Sequence, residues 1–443
     1  MQNQNSAKRY FGTDGIRGVY GEDLTDGLAM LVGNSLGHSA KGGLVVVGRD
    51  NRTSGENLSR ALGEGVLAAS GNVLDVGIVP TPCVAYVTAN TGAAFGVMLS
   101  ASHNPARYNG IKIFGADGKK LGREQEITIE KHISEAKLCY AHTRGNVLPV
   151  AGAIDCYGEM LRSVGRLDGL KVVLDCANGA ATDFAPTVFS SLGAEVVTTG
   201  NSRDGNFIND GCGALHPEKL CREVVRNNAD MGLCFDGDAD RVIACDEKGN
   251  VVNGDQIIFI LARALKTADA LPFSTVVGTL HTNMGVEADL KNLGIDLVRT
   301  DIGDHNVIRR MCDAGLSLGG EQSGHIILRD FSQTGDGILA GAFLARKVKE
   351  SGKPLSALND CNLYPQSNTE IITCNKEKIA RDKTLLRYVE TVEDMLGDSG
   401  RVMLRPSGTE SKLRIMAESK DDFLARFAAR SIELFIRNNY ELN

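Results

Sequence analysis

Gly43-Leu44-Val45-Val46-Val47-Gly48-Arg49-Asp50-Asn51-Arg52-Thr53-Ser54-Gly55 passes from an apolar run into a polar loop closed by glycine. The run is short and rich in valine, which reads as a buried strand. A helical pattern follows, with Leu58, Leu62, Val66 and Leu67 on one face. Gly71 stops it, and residues 73–79 make a second strand. Two strands joined through a helix become parallel neighbours. The same order returns twice. Residues 171–174 lead through Asn178-Gly179 into a helix ending near Gly193, with a strand over 195–198. Residues 275–277 lead through Asn283-Met284-Gly285 into a helix ending near Gly294, with a strand over 295–298. Three such units predict three related α/β domains with mixed sheets.

From about Gln366 the texture changes. A strand over 369–373, a helix over 380–396, strands over 401–404 and 412–417 and a helix over 423–435 predict a C-terminal α+β domain. The domains are read as 1–145, 146–250, 251–365 and 366–443. A looser stretch before Pro149 reads as the first linker, after a helix over 127–138. A chain of 443 residues is too long for one core. Its net charge of −7 argues against a nucleic-acid partner, which needs a basic face. The 11 cysteines include no C-x-x-C pair, so zinc-site and disulfide-framework readings fail and reduced thiols fit. Residues 1–9 are polar and no apolar run reaches the length of a membrane span. The expectation is a cytoplasmic protein with no membrane partner.

Five loops carry chemistry. Ser100-Ala101-Ser102-His103-Asn104-Pro105 follows an apolar strand, and Pro105 forbids a helix through the turn. Ser102 is thus a hydroxyl presented beside His103, a setting for a group-accepting serine, although such clusters also serve as plain turns. Asp236-Gly237-Asp238-Ala239-Asp240-Arg241 lies between two apolar runs. Alternate carboxylates on an extended segment project to one side, and three so close repel without a cation. Oxygen ligands suit Mg²⁺ or Ca²⁺. An EF-hand is excluded because Arg241 stands where the loop needs glycine and the flanks read as strands.

Gly319-Gly320-Glu321-Gln322-Ser323-Gly324-His325 offers groups that bind sugar hydroxyls, and His325 is suited to proton transfer near neutral pH. Arg405-Pro406-Ser407-Gly408-Thr409-Glu410, with Arg414 behind it, reads as a phosphate cradle or a hydrophilic hairpin. Arg17, within Phe11-Gly12-Thr13-Asp14-Gly15-Ile16-Arg17-Gly18, is placed to clamp a phosphate or to make a surface salt bridge. Lys112, in Asn109-Gly110-Ile111-Lys112, is able to fold back toward Ser102.

Together these motifs, in this order, resemble the phosphohexomutase superfamily over nearly the whole chain. The resemblance implies four domains around a central cleft. It implies a phosphorylated Ser102 as phosphoryl donor, and Mg²⁺ held by Asp236, Asp238, Asp240 and a phosphate oxygen on Ser102. Glu321 and Ser323 would read the sugar, and Arg405, Ser407, Gly408, Thr409 and Arg414 would hold the non-reacting phosphate. Three Asp and a phosphoserine of about −2 exceed the Mg²⁺ charge by roughly three units, so Arg17, Lys112 and Arg241 would balance the rest. Lys112 and His325 are the expected acid and base.

The implied reaction interconverts the 6- and 1-phosphates of a hexosamine through a hexosamine 1,6-bisphosphate, for amino-sugar nucleotide synthesis. Gln322 favours the amino sugar, because relatives acting on neutral hexoses resemble Gly-Glu-Met-Ser-Gly-His there. A mutase for glucose or mannose phosphates is the alternative, and a silent sugar-phosphate binder or a metal-dependent phosphatase is a weaker one. The expected partner is a small phosphosugar, with the chain a monomer or homodimer. His305-Asn306, Ser411 and Asn51 depart from the family pattern, and the first two bear on substrate preference.

Overall fold

The computed structural model describes residues 10–12, 14–135, 137–150, 152–407 and 411–442. They divide into two compact units. The first runs to His281 and resumes over Gly294–Asp360; the second joins Thr282–Leu293 to the chain from Cys361 onward.

One plan is repeated in three sheets of the first unit. Leu44–Arg49 lies parallel to Asn72–Ile78 on one side and to Phe95–Leu99 on the other, and Tyr108–Gly115 returns antiparallel beside Phe95–Leu99. Lys171–Asp175 likewise lies between Glu195–Thr199 and Met231–Phe235, with Val242–Asp246 antiparallel. Thr275–Thr279 lies between Asp296–Thr300 and Leu318–Gly320, with Ile326–Leu328 antiparallel. The mixed sheets expected from the repeat are therefore present. The first sheet is widened by Gly15–Val19 and Phe11–Gly12, and the second by Val251–Val252.

The repeat has a consequence for the motifs. In each sheet the hairpin between the third and fourth strands carries one of them: Ser102, the Asp236–Asp240 triad and Glu321. Each hairpin leaves the carboxyl end of a strand parallel to its neighbour, where open α/β sheets place ligands.

Local chemistry sets several boundaries that periodicity missed. The helix expected from residue 380 begins instead at Lys383, because the Asp382 carboxylate accepts from the N–H groups of Thr384 and Leu385. A separate short helix, Lys376–Ala380, precedes it. The stretch read as a linker joins the first sheet's edge: Val73 N–H donates to Asn146 O at 2.9 Å and Leu148 N–H to Val73 O at 2.7 Å. Unpaired edge groups recruit any nearby backbone, whatever its side chains.

The second unit has three antiparallel strands, with Lys412–Ser419 between Gln366–Ile372 and Gly400–Pro406. Leu385, Val389, Val392 and Leu396 pack with Ile432, Ile436, Leu413 and Ile415 in its core. Helix Met284–Asn292 belongs to this unit. Buried Glu418 accepts from Met284 N–H at 2.8 Å and from Arg401 Nε at 2.7 Å, and Arg401 also donates to Thr282 O at 2.8 Å.

Candidate functional site

Ser102 is fully buried and sits in the left-handed region, φ 53°. That conformation costs a non-glycine residue about 1–2 kcal/mol, so its surroundings must hold it. Its Oγ donates to Asp236 Oδ2 at 2.5 Å, and His103 Nδ1 lies 3.4 Å away. Arg241 donates to the same His103 nitrogen at 3.2 Å. Burial first, then Arg241 and Arg17, lowers the His103 pKa to about 4, so the ring is neutral near pH 7.

Asp236, Asp238 and Asp240 are all buried, with one ligand oxygen from each lying within 4.8 Å of the others. They converge because the segment is a tight turn with Ala239 at φ 56°, not because an extended strand alternates. The expectation of an extended segment is corrected here: the six residues between the two strands of the hairpin, Asp236 to Arg241, must reverse direction. Burial, then Asp240 and Asp238, pushes the Asp236 carboxyl well above its ordinary value. Asp238 Oδ1 and Asp240 Oδ1 are buried without hydrogen-bond partners. Orphaned buried carboxylate oxygens are costly, and an all-oxygen set of this kind fits a hard divalent cation.

Cations surround the triad. Lys112, 1% exposed, reaches Asp238 at 2.7 Å, Asp240 at 2.9 Å and Asp14 at 3.4 Å. Burial alone would push its amine down, but Asp14, Asp238 and Asp240 outweigh it and hold the pKa well above the ordinary lysine value. Lys112 is therefore a fixed positive charge. Arg241 Nε lies 3.8 Å from Asp240 and 4.0 Å from Asp236, and Arg17 pairs with Asp14.

His325, 3% exposed, does not present a free nitrogen. Its Nε2 accepts from Gly335 N–H at 3.0 Å, and Nδ1 lies 3.8 Å from Asp240. Burial opposes its charging, whereas Asp240 and Asp304 favour it and raise the pKa. The backbone donor requires a lone pair on Nε2, so the proton belongs on Nδ1, facing Asp240. His325, expected as a proton-transfer group, thus sits beside a triad carboxylate.

Glu321 is half-buried and accepts from Gly303 N–H at 3.0 Å, while Ser323 is exposed. Gly303 has φ 119°, and Asp304 opens the helix Asp304–Ala314 that carries His305 and Asn306. The divergent His305-Asn306 pair therefore begins two residues from the backbone that Glu321 holds.

In the second unit Arg405 and Arg414 stand directly opposite each other on paired strands. Like charges so placed repel unless an anion answers them. Glu370 does so in part, 3.2 Å from Arg414 Nε. Ser407 is buried next to this pair and its carbonyl accepts from Lys376. Gly408 and Thr409 lie outside the described residues.

Four family models match the chain in order. They are described as phosphoglucomutase/phosphomannomutase alpha/beta/alpha domain I over residues 8–138, domain II over 157–249, domain III over 253–364, and the C-terminal domain over 369–433. Curated relatives include the phosphoglucosamine mutase of Thermoanaerobacter sp. strain X514, 46% identical over 97% of this chain and 99% of that protein. That of Clostridioides difficile strain 630 is 44% identical over 94% and 96%.

The chain belongs to the phosphoglucomutase/phosphomannomutase family.

A family member from Burkholderia thailandensis has a solved structure that superposes with TM-score 0.82 at 25% identity, covering 97% of this chain and 98% of that one. The N-acetylphosphoglucosamine mutase of Aspergillus fumigatus shares the fold, with TM-score 0.68 at 16% identity over 99% and 97%.

Within this family fold several site residues escaped the motif reading. Lys120 bridges Asp14 and Asp304, tying the first sheet's strand extension to the third domain's helix. Thr81 donates from both its hydroxyl and its N–H to Asp238, the latter at 2.9 Å. Neither has a sequence signal beyond a polar residue after a hairpin or before a helix. Gly237 does have one. A Cβ there would meet Ser102 O at 2.5 Å, so only glycine lets the acidic loop dock on the serine loop.

Proposed function

We propose that this chain is a phosphoglucosamine mutase that interconverts glucosamine 6-phosphate and glucosamine 1-phosphate through a phosphorylated Ser102. The observation that carries the reading is Ser102 Oγ, 2.5 Å from Asp236 within a buried acidic triad. The name carried by relatives 42–46% identical over nearly the whole chain supports the amino sugar.

In the first transfer the Oγ–P bond of phosphoserine breaks as a bond forms from phosphorus to O1 of the 6-phosphate sugar. The resulting 1,6-bisphosphate turns over, and its 6-phosphoryl group returns to Ser102 Oγ. O1 loses a proton and O6 gains one, so none is consumed overall. Mg²⁺ held by Asp236, Asp238, Asp240 and the Ser102 oxygen would draw negative charge from the transferring group. Lys112, Arg17 and Arg241 supply the remaining positive charge, and such fixed charges stabilise phosphoryl transfer without reorganising. His103 stays neutral beside the serine, and His325 holds Asp240. Glu321 and Ser323 read the sugar, and Arg405, Ser407, Gly408, Thr409 and Arg414 hold the idle phosphate. The four domains are taken as 1–145, 146–250, 251–365 and 366–443. The chain works in the cytoplasm, as a monomer or homodimer, on small phosphosugars alone.

Phosphorus NMR tests this with purified protein, Mg²⁺ and a trace of the sugar bisphosphate. Initial rates are compared on glucosamine 6-phosphate and glucose 6-phosphate. Tenfold preference for the amino sugar, about 1.4 kcal/mol, is expected. Equal or reversed rates would support the neutral-hexose reading instead.

A further inference from the structure

The loop Asp50-Asn51-Arg52 has no place in the proposed chemistry, yet its side chains make several hydrogen bonds to the serine loop. Arg52 is buried and spends both terminal amino groups of its guanidinium on the segment Ser102 to Tyr108. Its NH2 donates to Ser102 O at 2.9 Å and Asn104 O at 2.7 Å; its NH1 donates to Pro105 O at 2.6 Å and Tyr108 O at 2.8 Å. Its Nε donates to Asp50 Oδ2 at 2.9 Å. Five N–H groups in a planar fork thus meet five acceptors, which a lysine with three donors cannot reproduce.

Asp50 extends the grip. Its Oδ2 also accepts from Ser100 Oγ at 2.6 Å, and Ser100 Oγ in turn accepts from Ser102 N–H at 2.8 Å. Ser102 is thereby held at both its N–H and its carbonyl, in a backbone conformation it would not choose alone. From the second domain, Asn209 donates to Ser102 O at 2.9 Å and Asn104 O at 3.1 Å. None of these contacts involves Glu321 or Ser323.

We propose that Arg52, Asp50 and Ser100 are positioning residues for phosphoryl transfer: they lock Ser102 in the left-handed conformation that aims Oγ at the acidic triad. The proposal rests on the phosphoserine reading above. It requires that loosening the clamp slow transfer to and from Ser102 while leaving sugar recognition unchanged. Small displacements of a reacting atom are enough to cost about 10²-fold in rate.

The test uses the full-length protein and two variants, Ser100→Ala and Arg52→Lys. Phosphorylation of Ser102 by glucose 1,6-bisphosphate is followed by intact mass, and kcat and KM are measured on the sugar 6-phosphate. For Ser100→Ala we expect phosphorylation and kcat both slowed 10- to 100-fold, with KM within twofold of wild type. Arg52→Lys should lose more, and if it does not fold the Ser100→Ala result still decides. A Ser100→Ala enzyme with unchanged rates would overturn the clamp, as would a loss confined to KM. Failure of the wild-type chain to acquire the phosphoryl group would instead overturn the phosphoserine reading on which the clamp rests.

Discussion

Two loops in this chain turn a hairpin on a serine, and they are built in opposite ways. The Ser102 loop is buried and clamped: Arg52 alone binds four of its carbonyls. At the Ser407 hairpin, by contrast, Arg405 and Arg414 face each other across half-buried strands. The first is held by cationic donors spent on its backbone; the second sets like charges side by side, with Glu370 3.2 Å from Arg414. A loop that exchanges a covalent group needs its nucleophile aimed before the sugar arrives. A loop that grips an idle phosphate needs charge and room.

The largest expected effect strikes the clamped loop. Ser102→Ala should lower turnover by about 10³-fold or more, as removal of a nucleophile does elsewhere. Calorimetric binding of the 6-phosphate sugar should survive, and its loss would show that the serine loop also reads the ligand.

Asp238→Asn comes next. It removes a triad charge that Lys112 and Thr81 both contact. Turnover should fall by about 10²-fold, with more Mg²⁺ needed for half-maximal rate. An unchanged Mg²⁺ titration would remove Asp238 from the metal site.

Arg414→Ala sharpens the contrast from the other side. A charge-assisted hydrogen bond contributes about 1.5–3 kcal/mol. KM for the sugar phosphate should therefore rise about 10- to 100-fold while kcat moves little. A kcat loss equal to that of a triad variant would mean the two loops do the same work.

The smallest effect lies outside both loops. Asp336 caps helix Gly337–Ser351 through Leu339 N–H and receives the Tyr157 hydroxyl at 3.0 Å. Burial raises its pKa from 3.8 to about 7. The folded chain then keeps a proton that the unfolded chain releases between about pH 4 and 7. This contribution to stability is complete below about pH 4 and is lost as pH rises through about 7. Melting temperatures between pH 5 and 8 should fall less in Asp336→Asn than in wild type. An equal fall would place the titrating group elsewhere.

Much of this architecture was legible in residue order. Three apolar runs, each followed by a polar loop, an amphipathic stretch, a glycine and a second run, specify parallel βαβ units wherever they occur, because burial of both sheet faces demands it. Ser102, the three aspartates and the facing arginines were legible too, since their chemistry is written in side-chain type and close spacing. Tertiary structure decided what spacing along the chain does not carry. Residues as distant as Lys120 and Asp304, or Thr81 and Asp238, meet only because different sheets bring their loops together. His325 meets its neighbours for the same reason, with Gly335 N–H at one nitrogen and Asp240 facing the other. The grip of Arg52 on Ser102 is a matter of carbonyl directions, and those exist only once the backbone has folded.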